Sequence, residues 1–269
     1  MMLPSSRVNL IPEVPFRQIN RTASKIIVLS CEGTVTEESY FNLIGKLFPD
    51  VQSKIKFISV VGDILKKREQ DRTDEEKKRL TKSQPLQLIE KMDTFKKEKK
   101  NEFDFEHHPD DEFWIVADVD HHTDTNNITN WSKALKQCKE KQYECAISNP
   151  FFEVWLLLHH TDVTEQDYKY AVTEQHAYEK NDHFKNRLRE NKAPLKKKKE
   201  VQSKHYNQSK VIQAIERAEE LHNKEMESCV DKTQRREYES WPHSLGTTVY
   251  KLLKKIVELN EQMKGTNEI

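Results

Sequence analysis

The sequence predicts an α/β protein: a mainly parallel sheet flanked by helices, with a helical C-terminal extension. Short apolar runs of strand length alternate with helical patterns over residues 25–160, the order that builds a parallel sheet covered on both faces. After Thr161 the pattern changes to long amphipathic stretches, Gln208–Met226 and Thr247–Met263, with no convincing strand before the very end. A length of 269 residues suits one such core with an extension. Only five of those residues are glycine, which argues against a glycine-rich propeller or barrel and for helices.

Residues 1–24 read as an arm, because Pro4, Pro12 and Pro15 interrupt any regular element. The α/β domain spans 25–160. Lys25–Cys31 is a β-branched run suited to a buried parallel strand. Thr34 followed by Glu37 fits a capping box, which starts a helix from Val35 to Ile44. Ile55–Val61 is a second strand. Lys66–Lys100 is almost entirely charged apart from Pro85–Ile89, and reads as a solvated helical insertion at about 62–100; a nucleic-acid or partner contact is the alternative. Phe113–Ala117 is the third strand, Ile128–Lys141 a helix, and Tyr143–Ile147 a fourth strand. Asn149 and Pro150 then suit the cap and first turn of another helix. Residues 161–269 form a mainly helical C-terminal region.

Forty-five basic residues balance 45 acidic ones, so a uniformly basic coat for nucleic acid is excluded and any such surface must be local. The longest uncharged apolar run, Val154–Leu158, is far too short to span a bilayer, and the first residues lack an apolar signal core. Four scattered cysteines without a CxxC pair suggest neither a zinc ribbon nor a disulfide framework. The expectation is a soluble, cytoplasmic protein with no membrane association. Whether it self-associates into a homo-oligomer stays open.

The chemistry lies with the acids. Between Asn101 and Ser132 there is no Lys or Arg, against nine Asp and Glu. Asp118 and Asp120 leave the end of a hydrophobic strand, where residues two apart point the same way. Carboxylates held side by side repel, and a divalent cation relieves that repulsion. Glu32 follows the first strand as Asp118 follows the third, so both fall at the carboxyl edge, where open α/β sheets bind ligands. Glu153 is the single charge in the apolar helix Phe151–Leu158, and its first-turn position puts it at the same edge. Glu37 has a structural role in the capping box and a second reading as a metal ligand. Oxygen-only ligands select Mg²⁺ or Mn²⁺ over Zn²⁺, and such a site handles phosphate esters. The expected set is Glu32, Asp118, Asp120 and Glu153 as catalytic residues, with Glu32, Asp118, Asp120 and Glu37 holding metal.

Three adjacent pairs, His107–His108, His121–His122 and His159–His160, are poorly placed to ligate one metal, and no HExxH, Walker or GxGxxG motif occurs. Between Asn181 and Arg217, eleven Lys or Arg face four acids. The run Lys196, Lys197, Lys198 and Lys199 is the candidate grip on a nucleic-acid backbone, with a solvated loop as the alternative.

Taken together, Glu32 after the first strand and Asp118-x-Asp120 after a later one resemble a Toprim domain. More narrowly, the chain resembles the RloB-like family. The matching stretches are Glu32-Gly33-Thr34-Val35-Thr36-Glu37-Glu38-Ser39-Tyr40-Phe41, Ala117-Asp118-Val119-Asp120, Ser148 to His159, and Thr247-Thr248-Val249-Tyr250-Lys251-Leu252. That resemblance implies a Toprim nuclease site in a prokaryotic defence protein, often encoded beside AAA- or ABC-type ATPases. The functional expectation is a Mg²⁺- or Mn²⁺-dependent nuclease of antiviral, abortive-infection type, acting on nucleic acid (RNA such as transfer RNA ahead of DNA) and controlled by a partner ATPase. A non-catalytic partner-binding or sensor subunit on a Toprim scaffold, and a DNA nuclease, are the alternatives.

Overall fold

In a computed structural model the described residues are 25–52, 55–81, 84–119, 125–172, 182–197, 199–229 and 241–266. The predicted arm, 1–24, lies outside them, as do Asp120, His121, His122 and Lys198.

Strand β1, Lys25–Cys31, has the predicted bounds and is buried from Ile26 onward. Its side chains alternate between two cores. Ile26 and Val28 join one apolar cluster, and Ile27, Leu29 and Cys31 the other. A strand sandwiched this way must be apolar at every position, which is why it reads as an unbroken run. Helix α1, Thr36–Leu47, follows, with short α2 at Pro49–Gln52 and β2 at Ile55–Ser59.

The charged stretch differs from expectation. It contains α3 (Gly62–Lys66), α4 (Asp74–Thr81) and a long α5 (Pro85–Phe103). Helix α5 is no solvated insertion, because Leu88, Ile89, Met92 and Phe95 are buried in the second cluster against Ile26, Val28 and Ile115 of the sheet. Charge on one face had obscured a four-residue apolar stripe on the other.

Strand β3, Glu112–Asp118, is followed by α6 (Thr125–Lys141), β4 (Glu144–Asn149) and α7 (Phe152–Leu158). Beyond these come α8 (Glu165–Val172), α9 (His183–Glu190), α10 (Gln208–Glu227), the two-residue strand β5 (Gly246–Thr247) and α11 (Val249–Thr266). The sheet order is β2-β1-β3-β4-β5, parallel except for the antiparallel pairing of β5 with β4. Predicted and observed class agree: a mainly parallel sheet flanked by helices. Helices α1, α7, α10 and α11 share one core over one face, while α5 and α6 cover the other. The C-terminal helices therefore complete the wall over the first face.

Chain direction reverses its spread at β1. Strand β2 lies to one side of it and β3 to the other, so the carboxyl ends of β1 and β3 flank a topological switch point. Crevices at such points are where open α/β sheets take ligands. Glu32 and Asp118 stand there.

A carboxylate cluster at the switch point

Glu32 is the first residue past β1, and its N–H donates to the Val116 carbonyl at 2.9 Å, extending the pairing with β3 by one step. Its carboxylate reaches across in turn: the Asp118 N–H donates to Glu32 Oε2 at 3.0 Å. The two acids predicted from separate strands are thus neighbours, locked by backbone pairing.

Glu37 joins them by a route the sequence reading missed. Helix α1 begins at Thr36, with Val35 in the capping position and no side-chain cap. Thr34 is therefore not the cap of a capping box. Instead the Glu37 carboxylate turns back and accepts the Gly33 N–H at 2.9 Å. Gly33 is what permits this, because a Cβ there would lie 2.7 Å from Glu37 Cδ, well inside contact distance. The Glu32-Gly33 dipeptide is thereby tied at one end to the Val116 carbonyl and at the other to the Glu37 carboxylate.

Glu153 comes from α7. The helix is capped by Phe151, not Asn149; Asn149 ends β4, and its Nδ2 donates to the Pro242 carbonyl at 3.0 Å. Every residue of α7 is buried, Glu153 included. Its charge is felt by Glu37, by Asp118 and by the Tyr206 phenol.

Crowding sets the electrostatics. Burial, followed by the charges of Glu32, Glu37 and Glu153, holds the Asp118 carboxyl well above the usual carboxylate range. Burial also raises Glu37, assisted by Glu153, while the Gly33 N–H and the Lys199 charge oppose the shift. The Tyr206 hydroxyl is buried with no hydrogen-bond partner among the described residues, and burial and then Glu153 push it up.

Two cations meet this cluster. Lys91 of α5 is 1% exposed, and its Nζ donates to the Cys31 carbonyl at 3.1 Å, one residue before Glu32. Burial lowers its pKa to about 8, with Arg79 pushing the same way and Glu32 and Glu37 resisting. Nothing in the sequence marked this lysine among its many neighbours. Lys199 belongs to the predicted basic run. The Lys199 N–H donates to the Lys196 carbonyl at 2.8 Å, and the Lys196 N–H to the Glu200 carbonyl at 2.9 Å. Lys199 and Val201 are docked on α1, since Thr36 Oγ1 donates to the Lys199 carbonyl at 3.0 Å and the Val201 N–H to Ser39 Oγ at 2.9 Å. Lys196 is paired with Glu200 at 3.0 Å, and Lys197 is exposed.

Of the histidine pairs, His121–His122 lies outside the described residues, and neither of the other two joins the cluster. His159 Nδ1–H donates to the Trp155 carbonyl at 2.9 Å, so its Nε2 accepts from Tyr40 Oη at 3.1 Å. Burial lowers its pKa to about 3, which makes it a neutral core residue. Burial and Lys210 hold His160 down at about 4. His107 is exposed and pairs with Asp104 at 2.7 Å.

Among the described residues no three His, Cys, Asp or Glu side chains are gathered closely enough to hold a metal ion as they stand. In donor chemistry the cluster still fits a hard divalent cation. Its members are carboxylates, they repel one another, and Asp120 lies just beyond the described end of β3.

The RloB-like protein family model matches residues 27–256, most of the chain. The chain belongs to the RloB-like family. The match runs from β1 through α11, so it covers every acid of the cluster as well as the helices that close the first core. No curated protein and no solved structure matches the chain significantly. Among the described residues no helix is long and apolar enough to cross a membrane.

Proposed function

We propose that this RloB-like protein is a divalent-metal-dependent nuclease of Toprim type. The observation that carries the reading is the hydrogen bond of the Asp118 N–H to Glu32 Oε2 across the switch point, with Glu37 and Glu153 near enough for their charges to act on Asp118. Glu32, Asp118 and Asp120 would hold Mg²⁺ or Mn²⁺, which when bound stabilises attacking and leaving oxygens of a phosphodiester. Glu153 adds negative charge from a buried helix start, so it strengthens the demand for a cation without itself moving with solvent. Glu37, with one oxygen committed to Gly33, shapes the turn that presents Glu32. Lys199, whose charge reaches Glu37, would serve as a counter-charge to the phosphate chain, with exposed Lys197 beside it in the same basic run.

RNA is the favoured substrate, with transfer RNA first, by analogy with defence proteins carrying related Toprim sites. Within the same reading the protein acts in antiviral defence in the prokaryotic cytoplasm, and an AAA- or ABC-type ATPase partner releases or activates it. The test is direct. Purified protein, alone and with the product of a neighbouring ATPase gene, is offered transfer RNA, single-stranded DNA and plasmid with Mg²⁺, Mn²⁺ or chelator. Metal-dependent cutting of transfer RNA, abolished by Asp118→Ala, is the expected result. Cutting of plasmid alone would make it a DNA nuclease. No cutting at all, with Asp118→Ala still protective in cells, would leave a scaffold subunit.

A further inference from the structure

A cavity of about 860 Å³ opens between α4 and α5, beside the carboxyl end of β2. That volume lies within the rough 300–1,000 Å³ range of small-ligand pockets. Three of the six acids on its walls are paired within it: Glu76 with Lys67 at 2.6 Å, Asp63 with Lys99 at 3.0 Å, and Glu98 with Arg79 Nη1 at 2.9 Å. The buried side-chain polar atoms left unmet among its described lining residues are donors. Arg79 lines the cavity with Nε and Nη2 buried and without a hydrogen-bond partner among the described residues. A guanidinium with two adjacent nitrogens free presents the fork that fits a phosphate bidentately, and leaving such donors buried and unmet is costly. Lys91 also lines this cavity, and the same ammonium group donates to the Cys31 carbonyl next to Glu32. The cavity and the carboxylate cluster therefore share a wall.

We propose that this cavity is a phosphate pocket in which Arg79, with Lys91 at its inner wall, holds a backbone phosphate of the strand whose neighbouring phosphodiester lies at Glu32 and Asp118. The assignment rests on the nuclease reading for the identity of the strand, but binding tests it separately from cleavage. It gives the charged α4 a purpose: carrying one guanidinium to the cavity beside the carboxyl end of β2.

The experiment measures equilibrium binding of a dye-labelled single-stranded RNA dodecamer to the Asp118→Asn protein, by anisotropy across a salt series. Arg79→Gln should weaken binding about tenfold, the loss of one charge-assisted contact. It should also flatten the slope of log affinity against log salt by about 0.7, one phosphate contact on a single strand. Arg79→Lys should restore only part of the affinity, since a point charge lacks the fork. Glu98→Gln leaves Arg79 in place but removes the negative charge that competes for it, so it should tighten binding, an effect no fold defect would produce. Unchanged affinity and slope in Arg79→Gln, or no tightening in Glu98→Gln, would overturn the pocket. ADP is the second probe. If Arg79→Gln loses ADP but keeps the dodecamer, the pocket takes a free nucleotide and the strand assignment is wrong. Cleavage by the unmutated protein is scored apart: a protein that cuts nothing but shows the Arg79 binding pattern refutes the nuclease and keeps the pocket.

Discussion

Asp167 and Asp118 are both carboxylates drawn into the fold, and their surroundings are opposite. Asp167 accepts the Thr164 N–H at 2.7 Å and its hydroxyl at 2.9 Å, His183 Nε2 at 2.7 Å, and Arg187 through Nε at 3.0 Å and Nη2 at 3.1 Å. Burial alone would raise its pKa, but these donors outweigh it and hold the carboxyl below its ordinary value. At Asp118 burial is not outweighed by such donors, the charges of Glu32, Glu37 and Glu153 add to it, and the pKa goes the other way. A carboxylate used to join helices is neutralised by the chain itself. One left among other carboxylates has no such compensation from the chain, and under the proposed function a bound cation would supply it.

The largest effect expected from this contrast is on stability. Asp167→Ala removes one side of a buried ion pair and strands Arg187 and His183, which should cost about 3–5 kcal/mol. For a chain of this size that is a fall in Tm on the order of 10 °C. A thermal scan showing a change within a degree would mean that the α8–α9 junction does not depend on its acid.

A smaller effect is expected at Gly33. Gly33→Ala drives a Cβ into the Glu37 carboxylate and should cost about 1–3 kcal/mol, as overpacking does. It should also depress cleavage, because the turn presenting Glu32 is displaced. Full activity with normal stability would show that Glu37 does not shape this turn.

The pH dependence should split the two acids by sign. For Asp167, with a lowered folded pKa, stability is present above the unfolded value of about 3.9 and is lost as pH falls through the folded one. For Asp118, with a raised folded pKa, the folded state holds the proton more tightly, so its penalty is absent below about 3.9 and grows as pH rises towards the folded value. Urea unfolding from pH 3 to 8 should therefore find Asp167→Asn less stable than the parent and Asp118→Asn more stable, with both differences shrinking in acid. Differences of the same sign would refute the contrast.

The sequence exposed one side of this comparison far better than the other. Glu32 and Asp118 were legible because each is an acid at the end of an apolar run, and Glu153 because it is the single charge within one, patterns that survive in one dimension. Strand β1 was legible for the same reason. Lys91 and Arg79 were not, since one lysine among the many of α4 and α5 carries no mark until the helix is laid on the sheet. The apolar stripe of Leu88, Ile89, Met92 and Phe95 was present at helical spacing but diluted by charge. The Thr34 cap failed because Glu37 bonds to Gly33 and moves the helix start to Thr36. The two residues of β5 are too few to form a pattern, and their pairing with β4 is decided by tertiary contact.

Mn²⁺-induced thermal stabilisation tests most directly whether the carboxylates at the switch point are held together for a cation. At pH 7 without metal, Asp118→Asn should melt above the parent protein, because one member of a repelling cluster has been neutralised. Millimolar Mn²⁺ should then raise the Tm of the parent and leave that of Asp118→Asn almost unmoved. A parent that melts above Asp118→Asn in chelator, or equal Mn²⁺ shifts in the two proteins, would contradict it.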